Sequence, residues 1–374
     1  MHASCLQDIL SKGLNTIGRA VPTRTTLPIT QNVLIQSDGG MLKLSATNLE
    51  IAISTWVGGE INSDGEITVP ARLMTEFINS LPNDRIELEA SMDPHALTIK
   101  CNRHDARILG TSAEEFPPIP QVQGDLLVKL SPNDLRIAIS EVAFAAATED
   151  SRPVLTGLKV ELEGNHFTFA AADGFRLAVH TGLLMEAVNE PTQFIIPSRT
   201  MSELNRFLGD QEDPVEFRID SGRGQVLFRL KNTELVSQLI QGTFPNYSQL
   251  IPERFTTRAT LPVQDLLRAT RTASVFARDG AGIIRLHVQP GDPGSIQIVA
   301  RADEIGENAV DMDATVEGEE AKVAFSSKYL MDVLSVLSTD KVSIEVTTPS
   351  SPGVFRPINS DSYVHVIMPM FVQW

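Results

Sequence analysis

The stretch LQDILSKGLNTIG, residues 6–18, decides the fold because versions of it return twice further along the chain. Residues 132–144 read PNDLRIAISEVAF, and residues 263–276 read VQDLLRATRTASVF. Each version opens with an amide followed by an acid, and each spaces its apolar residues as an amphipathic helix does. One helix pattern that occurs three times in a chain of 374 residues indicates an internal repeat.

Three further landmarks recur in the same order after each helix. A segment that follows a strand reads ATNLEIAI (46–53), AADGFRLAV (171–179) and ARADEIGENAV (300–310, around Asp303). A strand that runs into a second helix reads EITVPARLMTEFINSLP (66–82), FIIPSRTMSELNRFLG (194–209) and KVAFSSKYLMDVLSVLS (322–338). The last landmark is an aromatic residue or Met before Pro, at Phe116-Pro117, Phe244-Pro245 and Met368-Pro369.

Short runs between these landmarks, such as MLKLSAT and KVSIEV, alternate apolar and polar residues. This period of two is typical of half-buried antiparallel strands. We therefore predict an α+β fold of three repeated domains, each with two helices packed on about seven or eight antiparallel strands. The predicted domains are residues 1–125, 126–254 and 255–374, joined by the Pro-containing linkers 117–125 and 251–255.

Composition and charge set limits on the class of protein. Hydrophobic residues make up 42%, as in ordinary globular proteins, and no apolar run is long enough for a membrane span. The first residues lack a secretory pattern, so we expect a cytoplasmic protein with no membrane partner. The two cysteines, Cys5 and Cys101, lie in apolar runs and are expected to be buried free thiols. The net charge of −16 at first argues against nucleic-acid binding.

Motifs of catalysis are missing from the sequence. It contains no GxxxxGK[ST], GxGxxG, HExxH or GxSxG, and the seven histidines do not pair at metal-ligand spacing. We expect no catalytic residue, no metal and no cofactor, and therefore a protein that is not an enzyme. A repeat without a reactive cluster favours a function that depends on shape.

A family resemblance accounts for all of these landmarks. TLPITQNVLIQ (26–36), LSATNLEIAI (44–53), ITVPARLM (67–74), SRPVLTG (151–157), AADGFRLAV (171–179), GTFPNYSQLIP (242–252) and YVHVIMPM (363–370) resemble the bacterial sliding clamp, the beta subunit of DNA polymerase III. The resemblance covers the whole chain. It implies a head-to-tail homodimer whose six domains form a ring around double-stranded DNA, with helices lining the hole and sheets outside.

The resemblance also implies the partners. The clamp binds DNA without sequence preference and acts as a processivity factor for the DNA polymerase III alpha subunit. It further binds the clamp loader and other replication and repair proteins through short peptide motifs. The alternative is a clamp-like repeat scaffold that binds protein partners without encircling DNA.

The net charge argues less strongly against DNA binding when the charges of the six predicted helices are counted separately from the rest of the chain. Together they carry three more basic than acidic side chains, so the acidity of the chain lies outside them. A mildly positive lining would let DNA slide, while an acidic exterior would repel it. Arg24 matches a DNA-contacting arginine of the family. The other candidate DNA-binding residues are Lys12, Arg72, Arg136, Arg152, Arg199 and Arg206.

The partner-peptide pocket of the family maps onto domains 2 and 3. The implied pocket residues are Leu155, Ala172, Gly174, Phe175, Arg176, Leu177, Pro245, Gln249, Leu250, Val366, Ile367, Met368, Pro369 and Met370, with residues 350–353 at the rim. Ile108, Val275 and Phe276 are candidates for the dimer interface. The family usually ends in Met-Arg-Leu, whereas this sequence ends in Met370-Phe-Val-Gln-Trp374, which changes the expected pocket rim.

Overall fold

The computed structural model describes residues 1–122, 124, 126–149, 151–278, 281–302 and 306–373. The predicted repeat of two helices per copy is confirmed. The described helices are α1 (Gln7–Ile17), α2 (Ala71–Ser80), α3 (Pro132–Val142), α4 (Ser198–Phe207), α5 (Val263–Ala277) and α6 (Ser327–Val336). Asp303 of the second repeat landmark and Trp374 at the chain end lie outside the described residues.

Each pair of neighbouring strands in the described residues is antiparallel. The first copy contains β1 (His2–Leu6), β2 (Asn32–Asp38), β3 (Met41–Thr47), β4 (Ile51–Val57), β5 (Glu60–Ser63), β6 (Glu66–Pro70), β7 (Arg85–Met92), β8 (His95–Cys101) and β9 (His104–Leu109). The second contains β10 (Leu126–Leu130), β11 (Gly157–Glu163), β12 (His166–Ala172), β13 (Arg176–Leu183), β14 (Thr192–Pro197), β15 (Val215–Asp220), β16 (Gln225–Arg229) and β17 (Thr233–Gln238). The third contains β18 (Thr257–Pro262), β19 (Ile283–Gln289), β20 (Gly294–Ala302), β21 (Gly306–Gly318), β22 (Ala321–Ser326), β23 (Lys341–Val346), β24 (Gly353–Pro357) and β25 (Tyr363–Ile367).

The described part of the first copy has nine strands, one more than the seven or eight expected, because a pair of glycines divides one long strand into two. Gly58 and Gly59 separate β4 from β5, whereas β21 runs unbroken through the corresponding part of the third copy. A side chain at Gly59 would collide with the carbonyl oxygen of Ser4 on β1. Glycine is required here because the two backbones approach too closely for a Cβ.

Two compact units make up the chain, and the second copy contributes to both. Unit 1 consists of residues 1–132 and 206–239, and unit 2 of residues 133–205 and 240–374. Unit 1 contains a five-stranded sheet in the order β5-β1-β7-β8-β9 and an eight-stranded sheet in the order β10-β15-β16-β17-β4-β3-β2-β6. Unit 2 contains a twelve-stranded sheet in the order β14-β11-β12-β13-β25-β24-β23-β18-β21-β20-β19-β22.

Neighbouring copies therefore share sheets. In unit 1, β17 of the second copy pairs with β4 of the first, and in unit 2, β25 of the third copy pairs with β13 of the second. Strands of two copies form one sheet, so the compact units do not coincide with the copies. The domain boundaries at residues 125 and 254 therefore stay predictions from the sequence.

Each helix buries the apolar stripe that its sequence period predicts. α1 buries Leu10, Leu14 and Ile17, and Gly13 on the same stripe brings the helix close to the sheet. A Cβ at Gly13 would lie 2.7 Å from the side chain of Val57. Tight packing of this kind makes the interior sensitive to the addition of a single methyl group.

The cysteines follow the prediction, since Cys5 and Cys101 are both free and buried. Burial raises the pKa of the Cys5 thiol to about 12, so the reactive thiolate is suppressed near neutral pH. Among the described residues no helix has the length and apolar character to span a membrane. The same described ranges contain no His, Cys, Asp and Glu cluster able to hold a metal ion.

Candidate partner-peptide groove and candidate DNA-facing residues

The proposed peptide groove of unit 2 has an apolar floor formed by β13 and β25. Leu177 lies opposite Val366, and the next apolar pair joins Val179 and Val364. These residues belong to one buried cluster that also contains the predicted pocket residues Leu155 and Ala172. The structure therefore brings four of the predicted pocket residues together on one apolar surface: Leu155, Ala172, Leu177 and Val366.

Exposed apolar side chains stand around this floor. Phe175 is 59% exposed, Leu250 51% and Met368 42%. The backbone N–H of Met368 donates to the carbonyl of Phe175 at 2.8 Å, which ties the turn before β13 to the end of β25. The turn needs Gly174, whose φ is +95°, a conformation that disfavours residues with a Cβ. Exposed apolar groups beside a buried apolar floor are what a peptide with apolar anchors requires.

The other predicted rim residues lie nearby in the same unit. Pro245 and Gln249 are exposed, and Pro369 and Met370 are half-buried. The N–H of Met370 donates to the carbonyl of Ala324 at 2.8 Å, which fixes the course of the chain after β25. Phe371 beyond it is 94% exposed. In the predicted rim segment 350–353, Gly353 is buried, and a side chain there would collide with the ring of Phe325.

The segment after β17 closes one side of the groove through Tyr247, which was not among the predicted pocket residues. Its ring packs against the apolar cluster, and its hydroxyl donates a hydrogen bond to Glu161 on β11. Lys159 pairs with the same carboxylate at 2.7 Å, and its ammonium lies 5.4 Å from the centre of the Tyr247 ring. Burial and the Glu161 carboxylate raise the pKa of Tyr247, which keeps the hydroxyl protonated as a donor.

Arg176 and Ile367 lie on the opposite face of the strand ladder from the apolar floor. Arg176 lies opposite Ile367 in the strand ladder, and alternation along β13 and β25 puts both residues on the face away from Leu177 and Val366. Arg176 is 8% exposed and Ile367 is fully buried. Ile367 therefore packs beneath the floor, whereas Arg176 also lines a cleft together with Phe175. The assignment of both residues to the peptide pocket stays a prediction.

All three guanidinium nitrogens of Arg176 are engaged. Nε donates to Asp173 at 3.0 Å, Nη1 to Asp332 at 2.6 Å, and Nη2 to the carbonyl of Phe144 at 2.7 Å. The guanidinium also lies 5.2 Å from the ring centre of Phe144 and 4.6 Å from that of Tyr329. A buried charge is stable only when it is paired and hydrogen-bonded in this way.

A small cleft of about 190 Å³ borders this network in unit 2. Arg152 lines it together with Glu149, Asp173 and Tyr329. The guanidinium of Arg152 approaches within 3.3 Å of the position that a Cβ on Gly174 would take. Arg152, selected from the sequence as a DNA-binding residue, therefore lies beside the turn of the peptide groove.

All seven candidate DNA-binding residues are exposed. Acidic side chains lie near some of them: Lys12 lies 3.2 Å from Asp210, and Arg72 lies 2.8 Å from Glu76. Arg136 donates to the side chain of Asn133 at 3.2 Å. Exposed ion pairs of this kind contribute little stability, so phosphate groups can replace the acidic partners at small cost.

The candidate interface residues have different surroundings. Val275 on α5 is exposed and Phe276 is half-buried, whereas Ile108 on β9 is buried in its own protomer. Its neighbour Leu109 is exposed at the end of the same strand. Sequence position alone could not tell which of these two β9 side chains faces outward.

The chain is similar to proteins of one known family along its whole length. Profiles described as DNA polymerase III beta subunit match the chain in three consecutive parts: the N-terminal domain over residues 1–120, the central domain over 129–246 and the C-terminal domain over 248–371. A Synechocystis protein named beta sliding clamp is 30% identical over 99% of both chains.

Solved structures give the same result. The DNA polymerase sliding clamp of Bacillus subtilis superimposes with a TM-score of 0.94 at 27% identity and covers all of both chains. The sliding clamp of Pseudomonas aeruginosa bound to griselimycin gives a TM-score of 0.93 at 28% identity, again over all of both chains. The fold is therefore that of three repeated clamp domains, and the chain belongs to the bacterial DNA polymerase III beta subunit family of sliding clamps.

Proposed function

We propose that two copies of this chain join head to tail into a closed ring that encircles duplex DNA and slides along it. The observation that carries the proposal is the pattern of strand pairing between copies. Each copy contains two meanders of three antiparallel strands. The last strand of its second meander pairs with a strand of the preceding copy. That partner is the last strand of the preceding copy's first meander. This rule joins β17 to β4 and β25 to β13.

The same rule leaves two edges open. β9 ends the five-stranded sheet beyond β8, and residues 306–314 of β21 pair with β20 on one side only. In the described part of the chain no strand covers either edge. In the first copy β9 is equivalent to β17 and β25, and in the third copy β21 is equivalent to β4 and β13. The open edge of β9 in one protomer is therefore complementary to the open edge of β21 in the other. A contact between unlike ends of identical chains closes into a ring when the rotation permits.

The proposed mode of DNA binding is loose and electrostatic. The exposed cations Lys12, Arg72 and Arg136 lie on helices, and their side-chain partners are surface groups that water and phosphate can replace. Contacts of this kind do not read base sequence, and they exchange along the DNA backbone. Closure of the ring, rather than tight binding, would hold the protein on DNA.

The groove of unit 2 is the proposed tether for the DNA polymerase III alpha subunit, the clamp loader and other replication and repair proteins. Its buried apolar floor and the exposed Phe175, Leu250 and Met368 suit a short peptide with two or three apolar anchors. A related clamp of Pseudomonas aeruginosa carries griselimycin, which supports a ligand-binding surface on this fold. We propose that the protein itself is a processivity factor without catalytic activity.

Retention on circular DNA tests encirclement. The protein is loaded on a nicked plasmid circle by a clamp loader with ATP, and bound protein is separated from free protein by gel filtration at high salt. We expect retention on the circle and loss after one restriction cut, because salt weakens phosphate contacts but not a topological link. Equal retention on circular and linear DNA would contradict encirclement.

The rival proposal is a clamp-like scaffold that binds proteins without surrounding DNA. It predicts no retention on either DNA form together with intact peptide binding. Fluorescence anisotropy of a labelled peptide from the polymerase alpha subunit, measured on the same preparation, separates the two proposals.

A further inference from the structure

Unit 1 contains a cleft to which neither the DNA-binding residues nor the groove residues above belong. Its volume is about 620 Å³, within the range of roughly 300–1,000 Å³ that is usual for ligand sites. The floor is the eight-stranded sheet at β4, β16 and β17, and the wall is the Pro-rich segment 116–122. This cleft is called the first groove below, and the peptide groove of unit 2 the second groove.

The two grooves occupy equivalent places in the repeat. An apolar row crosses the joined strands of unit 1 at Leu227, Val236 and Ala52. The equivalent strands of unit 2 carry the row Val354, Val366 and Leu177. Both rows are buried, and both lie where the last meander of one copy joins the preceding copy.

The segments that follow the two Phe-Pro pairs cover the two rows in the same way. Ile119 and Val122, which follow Phe116-Pro117, pack against the row of unit 1. Tyr247 and Ile251, which follow Phe244-Pro245, pack against the row of unit 2. The repeat has therefore produced the framework of a peptide groove twice.

The next row of side chains differs between the grooves. In the second groove it consists of Val364, Val179 and Ala170. In the first groove the corresponding positions hold Glu234, Ser54 and Ser45. The hydroxyls of Ser45 and Ser54 lie 2.8 Å apart, and both residues are buried. Half of the floor that would accept apolar anchors is thus replaced by hydrogen-bonding groups.

Acidic groups outnumber basic ones around the first groove. Within it, Glu234 pairs with Arg229 at 2.7 Å, and Asp38 lies 3.9 Å from Lys43. The segment between the lining residues Ala113 and Phe116 adds two exposed carboxylates, Glu114 and Glu115. The charged lining residues balance, so the excess of negative charge comes from Glu114 and Glu115 at the margin, and it favours a cationic side chain in an occupant.

We propose that the first groove is a second peptide-binding site, which takes an extended peptide with a basic side chain next to an apolar one. The apolar side chain lies on Val236 and Ala52, and the basic side chain reaches Glu234 and the Ser54 hydroxyl. The proposal rests on the peptide-binding role proposed for the second groove, since the equivalence of the two frameworks carries it. A partner could then bind both grooves with two different motifs.

Methyl NMR of the full dimer tests this proposal. The probes are the peptides acetyl-Ala-Leu-Lys-Ala-amide and acetyl-Ala-Leu-Glu-Ala-amide at millimolar concentration. Methyls of Ala52, Leu227 and Val236 report on the first groove, and those of Leu155, Leu177 and Val366 on the second. We expect the lysine peptide to shift the first set, and the glutamate peptide to shift it at least about tenfold less.

The conservative variant Glu234→Gln should lose this preference, whereas Glu190→Gln, an equal charge change at an exposed site in unit 2, should keep it. Unchanged spectra elsewhere establish that both variants fold. No shift of the first set with either peptide, equal shifts with both, or full lysine preference in Glu234→Gln would each overturn the inference. A polymerase alpha peptide that still shifts the second set would show that the proposed tether survives such a result.

Discussion

Arg176 and Asp332 form a 2.6 Å ion pair that joins β13 of the second copy to α6 of the third. The same guanidinium holds Asp173, whose carboxylate accepts hydrogen bonds from the backbone N–H groups of Phe175 and Arg176 at 2.9 and 3.0 Å. The turn that carries the exposed Phe175 is thus positioned by the buried guanidinium of Arg176, acting through Asp173. Positioning groups of this kind set how well a site is preorganised.

Replacement of Arg176 by Met should therefore weaken both folding and peptide binding. Loss of one partner from a buried pair costs about 3 kcal/mol or more, because the remaining charge stays buried without compensation. Urea unfolding and peptide anisotropy measure the two effects. Arg72→Met, which breaks the exposed pair with Glu76, is the control and should change neither. Wild-type peptide affinity in a folded Arg176→Met protein would refute the positioning role.

The rim of the second groove should depend on Met368. A carboxylate in Met368→Asp must lose water against an apolar floor when a peptide binds, so affinity for a polymerase alpha peptide should fall on the order of 30-fold. Met185 is also an exposed methionine, so Met185→Asp serves as the matched control. Equal affinities of the two variants would place the peptide elsewhere.

Ring closure should depend on the two open strand edges. Leu109→Asp adds a charge to the exposed end of β9, and the dimer dissociation constant should rise at least about tenfold, equivalent to roughly 1.4 kcal/mol. Sedimentation velocity over a dilution series measures it. Leu183→Asp, at the exposed end of β13, is the control. A dimer of unchanged affinity in Leu109→Asp would argue against closure through β9.

Acid should destabilise the protein through His365. Burial, with a smaller contribution from Arg176, lowers the pKa of this fully buried imidazole from 6.5 to about 3. Its surroundings include Tyr363 on β25, whose hydroxyl lies 3.1 Å from Nδ1, and Phe144 next to α3, which stacks on its ring. Nε2 has no hydrogen-bond partner among the described residues.

The unfolded chain binds a proton at His365 near pH 6.5, whereas the native chain does so only near pH 3. Stability from this group is therefore present above pH 6.5 and is lost as the pH falls toward 3. Between pH 7 and pH 5 the loss is about 2 kcal/mol. In urea unfolding, the free energy of unfolding of His365→Asn should change between these two pH values by about 2 kcal/mol less than that of the wild type. His166 is exposed, so His166→Asn should behave as the wild type. An unchanged pH dependence in His365→Asn would refute this assignment.

The sequence by itself determined the repeat, the six helices and the residue types available to each surface. These features follow from short-range periodicity, because a period of 3.6 or 2 fixes which neighbouring side chains share a face. It also determined that Leu155, Leu177 and Val366 are apolar at positions that the family resemblance assigned to one pocket.

Only the tertiary structure decided which face of a strand lines the groove. β13 and β25 both alternate, but their pairing register puts Leu177 and Val366 on the groove side and Arg176 and Ile367 on the other. Tyr247 and Glu161, far apart in the chain, meet only when the segment after β17 folds over β11. The division of the second copy between two sheets has the same cause. Strand pairing joins residues that are distant in sequence, and local periodicity carries no information about such contacts.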